Sequence, residues 1–148
     1  MGNDQSRVVG VFYHDLTVPE NTIDQNGHMN NVAYVQWMQD MAILHSDATG
    51  GTAAVTAVGG AWVVRFHKIE YLSPAFAGDR LQVATWVVNF RRVRSLRQYR
   101  FVNATSGVLL AKGETDWVFV DGKSGRPRRI DPIVEKAFIL VPDEPEPR

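Results

Sequence analysis

Apolar and polar positions first alternate. Over Val8 to Val18 the residues Val9, Val11 and Tyr13 recur with period two, and the cluster Pro19-Glu20-Asn21 stops the run, which predicts a strand. The period then changes. From about Asn31 to Ser46 the residues Tyr34, Val35, Met38, Met41, Ala42 and His45 recur at steps of three and four, as along one face of a helix, with Asn30 or Asn31 placed to cap it. The stretch Ala48 to Gly60 is rich in Gly, Ala and Thr and either frays from that helix or forms a flexible connection. Ala61 to Leu72, Asp79 to Phe90 and Ser95 to Asn103 are rich in β-branched and aromatic residues, and Val108 to Asp121 follows Ser106-Gly107; the four read as further strands of an antiparallel sheet. Asp121-Gly122-Lys123-Ser124-Gly125 closes the last strand, and Asp131-Pro132 opens a short helix ending near Phe138.

One long helix and about five strands give an α+β fold. A strand of ~10 residues extends roughly 33 Å and a helix of ~16 residues roughly 24 Å, so a long sheet can wrap around the single helix. One helix does not cover both faces and the edges of such a sheet, and a partner subunit is expected to cover the rest, in a homodimer or homotetramer. The 148 residues fit one domain over 1–148, with 1–7 and 143–148 expected as loose tails, the latter because Pro alternates there with acidic residues.

Composition narrows the chemistry. The absence of cysteine excludes disulfides, thiolate metal sites and a cysteine nucleophile, and suits a reducing compartment, so a cytoplasmic location is expected. No leader-like segment and no run of ~20 apolar residues is present, and no membrane association is expected. Sixteen basic and sixteen acidic residues cancel, which removes the overall positive field of a nucleic-acid binder and confines any anion site to a local cluster.

The candidate chemistry lies between the first strand and the helix. Asp24-Gln25-Asn26-Gly27-His28-Met29-Asn30-Asn31 gathers a carboxylate, an imidazole and several amides before a helix N-terminus. Thioester hydrolysis can use each of these. Negative charge builds on the carbonyl oxygen, where backbone N–H groups and the positive end of a helix stabilise it. An oxyanion donor is typically worth ~100 to 1,000-fold in rate and a general base ~100 to 10,000-fold, so a small constellation suffices without metal or other cofactor.

Asp24-x-x-Gly27 followed by Tyr34 and Trp37 resembles the 4-hydroxybenzoyl-CoA thioesterase family of hotdog proteins. Asp24-x-Asn26-x-His28-x-Asn30-Asn31-x-x-Tyr34-x-x-Trp37 resembles the acyl-ACP thioesterases of plants and bacteria more closely still. Tyr71-x-x-Pro74-Ala75-x-x-Gly78-Asp79-x-Leu81-x-Val83 is similar to later strands of the same proteins, and Glu70 matches a glutamate of the acyl-ACP group. The resemblance implies a hotdog fold, an acyl-CoA or acyl-ACP substrate, and a site at a subunit interface where the loop of one chain faces strands of another. It also implies catalytic roles for Asp24, Asn26, His28 and Glu70. Asp24 or Glu70 activates water or attacks directly, His28 and Asn26 position the carbonyl or the water, and Gly27 with the following amides forms the oxyanion site.

Two related chemistries fit less well. Hotdog thioesterases with a glutamate on the helix lack a counterpart, because this helix offers only Gln36, Gln39, Asp40 and Asp47. Hotdog hydratases resemble D-x-N-P-x-H, whereas His28 follows Asp24 by four positions and Gly27 stands near where that proline would be. A non-catalytic acyl-binding protein of the same fold remains the alternative outside enzymes.

Arg91, Arg92, Arg94, Arg97 and Arg100 surround an expected hairpin, with Phe90, Tyr99 and Phe101 interleaved. Either they form a solvated turn or Arg91, Arg92 and Arg94 hold the phosphates of coenzyme A or phosphopantetheine. Tyr34 is a further candidate for substrate contact. His14, His45 and His67 show no metal-ligand spacing, and His45 reads as helix-face packing or a C-terminal cap. Gly122-Lys123-Ser124 resembles the end of a phosphate-binding loop but lacks its first glycine, since Trp117 stands there, and reads as a turn. No G-x-S-x-G occurs. Trp62, Phe66, Trp86 and Trp117 read as core or subunit-contact aromatics.

Overall fold

The structure, a computed structural model, describes residues 8–146, so the expectation of a loose segment over 1–7 lies outside it. Five strands form one antiparallel sheet: β1 (Phe12–Thr17), β2 (Gly60–Tyr71), β3 (Arg80–Val87), β4 (Arg94–Asn103) and β5 (Leu109–Asp121). Their order across the sheet is β1-β3-β4-β5-β2, which leaves β1 and β2 at the edges. A long helix, α1 (Asn31–Thr49), lies against one face. This is the hotdog arrangement expected from the sequence.

The packing follows the periods of the sequence. Ala33, Tyr34, Met38, Met41, Ala42 and His45 are the buried residues of α1. Ala33, Tyr34, Met38 and Met41 meet Val83, Tyr99, Phe101 and Ala111 from the sheet in one cluster. Each large side chain buried there contributes about 1.5–3 kcal/mol of transfer free energy. Gly113 of β5 makes room for α1: a Cβ there would lie 2.9 Å from the Met38 Cε.

Four expectations are corrected. The first strand begins at Phe12 instead of Val8, because a turn at Gly10, with φ 92°, precedes it and Val11 N–H donates to the Val8 carbonyl at 3.1 Å. The stretch Ala48 to Gly60 contains a second helix, α2 (Gly51–Ala57), offset from α1 at Gly50, whose φ of 89° ends the first helix. The helix opened by Asp131 is a single turn, α3 (Pro132–Glu135), with the Asp131 side chain accepting the Ile133 amide at 3.1 Å. The expected loose tail packs as far as it is described. Val141 N–H donates to the Val87 carbonyl at 2.8 Å, Glu144 meets Lys112 Nζ at 2.8 Å, and Arg100 donates to the Pro145 carbonyl. Residues 147 and 148 lie outside the described part.

The sheet therefore has two differently covered faces. Ala84 and Trp86 lie on the side away from α1 and pack against Val141, and Arg100 stacks over Trp86 at 5.3 Å. No helix of the described residues is long and apolar enough to cross a membrane.

Candidate functional site

The loop from Ile23 to Asn30 is built around Asp24. Its Oδ1 accepts the Asn26 amide at 2.8 Å and, more weakly, the His28 amide at 3.4 Å, an Asx-type turn closed on a carboxylate. The backbone reinforces it, since Gly27 N–H donates to the Asp24 carbonyl and Asp24 N–H to the His28 carbonyl, both at 3.0 Å. Gly27 has φ 89°, a conformation in which any side chain is strained.

Asn30 ties this turn to the helix. Its Oδ1 accepts the Ala33 amide at 2.8 Å as the N-cap, and its Nδ2 donates to the Thr22 carbonyl at 2.8 Å. The choice between Asn30 and Asn31 as cap thus falls on Asn30. Met29 N–H donates to the Ala75 carbonyl at 2.7 Å, which anchors the loop to the segment leading into β3.

Asp24 and His28 stand together. Asp24 Oδ2 lies 3.8 Å from His28 Nδ1, too long for a hydrogen bond, and both side chains are partly open to solvent. His28, Tyr34, Tyr71 and Ser73 line an open cleft of about 250 Å³. Tyr34 is buried, edge-on to Phe101 at 5.1 Å and to Tyr71 at 5.3 Å. Burial, then the neighbouring Tyr71, pushes the Tyr34 hydroxyl up to about 12. It is therefore a neutral wall of the cleft. Tyr71 in turn donates to the Asn31 carbonyl at 3.1 Å.

Three of the expected site residues stand differently from the roles the sequence suggested. The Gly27 amide is engaged by Asp24, so it is not an open oxyanion donor; among the described residues the amides of Asn31 and Val32, on the first turn of α1, have no acceptor. Asn26 is exposed and enters the arrangement through its backbone amide. Glu70 is not brought to the loop within one chain. Its neighbours Ile69 and Tyr71 face α1, and Glu70 lines a separate cleft with Lys68, Trp86, Lys112 and Glu114 on the other side of the sheet.

The arginines divide. Arg91 and Arg92 are exposed on the β3–β4 turn, and Arg94 is paired with Asp116 at 3.0 Å, which Arg65 also approaches at 3.5 Å. This turn follows the end of β3, whereas the Asp24 loop lies by its start, so the eight residues of β3 separate them by about 27 Å. Arg97 and Arg100, expected beside a solvated hairpin, are buried.

A second, larger cavity of about 380 Å³ opens beyond the middle of α1, with Ile43, Val55, Trp62, Phe90, Arg97 and Phe138 among its walls. Arg97, grouped by sequence with the arginines of the hairpin, is a wall of this cavity instead. Lys123 and Ser124 donate their amides to Asp121 Oδ1 at 2.9 Å, confirming the turn expected there.

Comparison with known proteins gives three further findings. The family model described as the thioesterase-like superfamily matches residues 18–138. The chain is 30% identical over 126 residues to an L-carnitine dehydrogenase/betainyl-CoA thioesterase of Agrobacterium fabrum, a match over 84% of this chain but only 26% of that protein. Among solved structures it is similar to a 1,4-dihydroxy-2-naphthoyl-CoA thioesterase from Synechocystis, with TM-score 0.77 and 21% identity over 86% of this chain and 95% of that one. It is also similar to a 12:0-ACP thioesterase from Umbellularia californica, with TM-score 0.78 and 18% identity over 87% and 51% of the two chains. At these identities the structural likenesses concern the fold.

Proposed function

The chain belongs to the thioesterase-like superfamily, and from that premise we propose that it hydrolyses an acyl thioester, releasing a carboxylic acid and a thiol. The observation that carries this reading is the placement of Asp24. One of its oxygens is fixed by the Asn26 amide while the other stands beside His28, next to an open cleft at a helix N-terminus. The betainyl-CoA named for the Agrobacterium relative favours coenzyme A over an acyl carrier protein as the carrier.

The chemistry asks little of the protein. Water bound in the cleft gives a proton to Asp24 Oδ2 as its oxygen adds to the thioester carbon. The resulting oxyanion is stabilised by the amides of Asn31 and Val32 and by the helix dipole. The carbon–sulfur bond then breaks, and the departing thiolate recovers the proton from Asp24. Direct attack by Asp24 on the carbonyl uses the same geometry and passes through an anhydride that water opens. His28 orients the water or the carbonyl. Asp24 is the carboxylate of choice over Glu70, because only Asp24 shares this loop.

The site is completed by a second copy. Among the described residues the outer edge of β2 has no strand partner, and β2 carries exposed Val63, Phe66 and Tyr71. Two copies joined along this edge in antiparallel fashion bring the Tyr71 end of one β2 beside the Gly60 end of the other. Covering such an edge also removes a template for aggregation.

The test is thiol release from a panel of short, long and aromatic acyl-CoA substrates, with wild type beside Asp24→Asn. Turnover that falls by about 100 to 10,000-fold in the variant supports the reading. Hydration of an enoyl thioester without thiol release replaces it with a hydratase, and undiminished turnover in Asp24→Asn removes Asp24 from the mechanism.

A further inference from the structure

Among the described residues a guanidinium is buried with no anion beside it. Arg97 projects from β4 toward α1 and is 5% exposed. Its Nη1 donates to His45 Nδ1 at 2.9 Å and to Thr85 Oγ1 at 3.0 Å, and the Phe138 ring stands 5.7 Å from its Cζ. None of these groups is an anion. Burial, then the charge of Arg97 itself, pushes His45 down to about 3, so the imidazole is neutral and accepts at Nδ1. Among the described residues no carboxylate lies within 4.0 Å of the Arg97 guanidinium, and the buried Asp116 is occupied by Arg65 and Arg94. A cation held among neutral groups is costly to bury and has a strong unmet demand for negative charge.

The same side chain lines the larger cavity, whose other walls are mainly apolar: Ile43, Val55, Trp62, Phe90 and Phe138. This is a chamber for a hydrocarbon with one fixed positive charge. Trp62 places it at the Gly60 end of β2, which the antiparallel pairing above sets against the partner's Tyr71 end and therefore against the partner's catalytic cleft.

We propose that this cavity receives the acyl chain delivered from the partner's loop, and that Arg97 binds a carboxylate at its far end, so that the substrate is an ω-carboxyacyl thioester. The inference rests on the thioesterase reading for its substrate and on the cavity for its specificity. A planar carboxylate matches the two-pronged donor face of a guanidinium. A neutral chain leaves the charge unmet, and a quaternary ammonium end is repelled by it in a medium of low dielectric constant.

The experiment has a binding arm and a turnover arm, each with wild type, Arg97→Met and Arg97→Lys. In the first, free suberate, octanoate and inorganic phosphate are titrated and the melting temperature is followed. Suberate is expected to raise it in wild type and not in Arg97→Met, whereas octanoate acts alike on both. A phosphate effect equal to that of suberate, or suberate stabilisation surviving in Arg97→Met, overturns the site. In the second arm, kcat/KM is compared for carboxy-, methyl- and trimethylammonium-ended acyl-CoA of one length. The carboxylated substrate is expected to lead by about thirtyfold, mainly through KM, with the lead erased in Arg97→Met and partly kept in Arg97→Lys. Hydrolysis of neutral chains without that lead overturns the Arg97 proposal and leaves the thioesterase reading standing. Suberate binding through Arg97 with no thioester hydrolysed does the reverse. Should Arg97→Met fail to fold, the wild-type preference among the three chain ends decides alone.

Discussion

Asp24 and Asn26 are joined through Asp24 Oδ1, which accepts the Asn26 amide at 2.8 Å, while Oδ2 of the same carboxylate lies 3.8 Å from His28 Nδ1. One oxygen thus builds the turn and the other is left for chemistry. The two functions separate by mutation. Asp24→Asn keeps an acceptor for the Asn26 amide and loses the base, so it should melt close to wild type and be inactive. Asp24→Ala loses both, and should be destabilised by about 1 kcal/mol in addition. Thermal melting of the two variants side by side distinguishes them; equal melting temperatures would mean that Oδ1 does not hold the turn.

Glu70 gives the complementary control. It faces the Lys68, Lys112 and Glu114 side of the sheet, where α1 and the loop are absent. Glu70→Gln is expected to leave kcat and KM for any thioester substrate as in wild type. A loss of turnover comparable to that of Asp24→Asn would transfer the role of base to Glu70, supplied across the subunit boundary.

That contrast shows what was legible beforehand. The loop, its cap and the five strands could be read because turn residues and hydrophobic periods act locally. For Glu70 two signals in the sequence pointed apart: the motif match groups it with the loop, while period two separates it from Ile69 and Tyr71, and within one chain it follows the period. Arg97 carried the same signal, since it shares a face with Tyr99 and Phe101, yet a cluster of arginines near a turn suggested solvent. The helix α2 was hidden because Gly, Ala and Thr give no apolar stripe. The packed tail was hidden because its partners, Arg100 and Lys112, are remote in sequence.

His45 makes stability depend on pH. Its folded pKa, pushed down to about 3 by burial and then by Arg97, lies below the ordinary value of 6.5. The unfolded chain therefore takes up a proton that the folded one refuses. The stability is intact above pH 6.5 and is lost as pH falls from there toward 3, by up to about 1.4 kcal/mol per unit. Phe12 and Phe138, which flank the ring, add no charge to this balance. Urea unfolding at stepped pH should show the slope, and His45→Gln should flatten it. An unchanged slope in the variant would assign the acid sensitivity to carboxylates.

Asn30 is the joint between loop and helix, with Oδ1 on the Ala33 amide and Nδ2 on the Thr22 carbonyl. Asn30→Asp preserves the cap and gives up the second bond, whereas Asn30→Ala gives up both. The alanine variant should cost about 1–2 kcal/mol of stability. Its turnover should fall with it, because the cap also sets where the Asn31 and Val32 amides point. If Asn30→Asp retains stability but loses turnover as fully as Asn30→Ala, the Thr22 bond, and through it the loop, is what orients the oxyanion donors.

The free edge of β2 is where the proposed pairing of two copies can be tested. Within one chain the cleft beside His28 lies at the Tyr71 end of this strand and the larger cavity at the Trp62 end. The buried side chains of Met38, Met41 and Tyr99 fill the core between α1 and the sheet. These side chains stand between the Asp24 loop and its own chain's cavity, and the proposed antiparallel pairing of two β2 edges would offer an acyl chain the partner's cavity instead. Charged residues in place of exposed apolar ones on that edge oppose pairing, since each must lose its water as the two copies join. Val63→Glu combined with Phe66→Glu should reduce the particle measured by light scattering to a single chain of 16.6 kDa. In the same variant kcat/KM for long acyl substrates should collapse, while short ones, which do not reach the cavity, suffer less. A monomer that still hydrolyses long chains at the wild-type rate would show that cleft and cavity communicate within one chain, and would place the opening between Met38 and Tyr99.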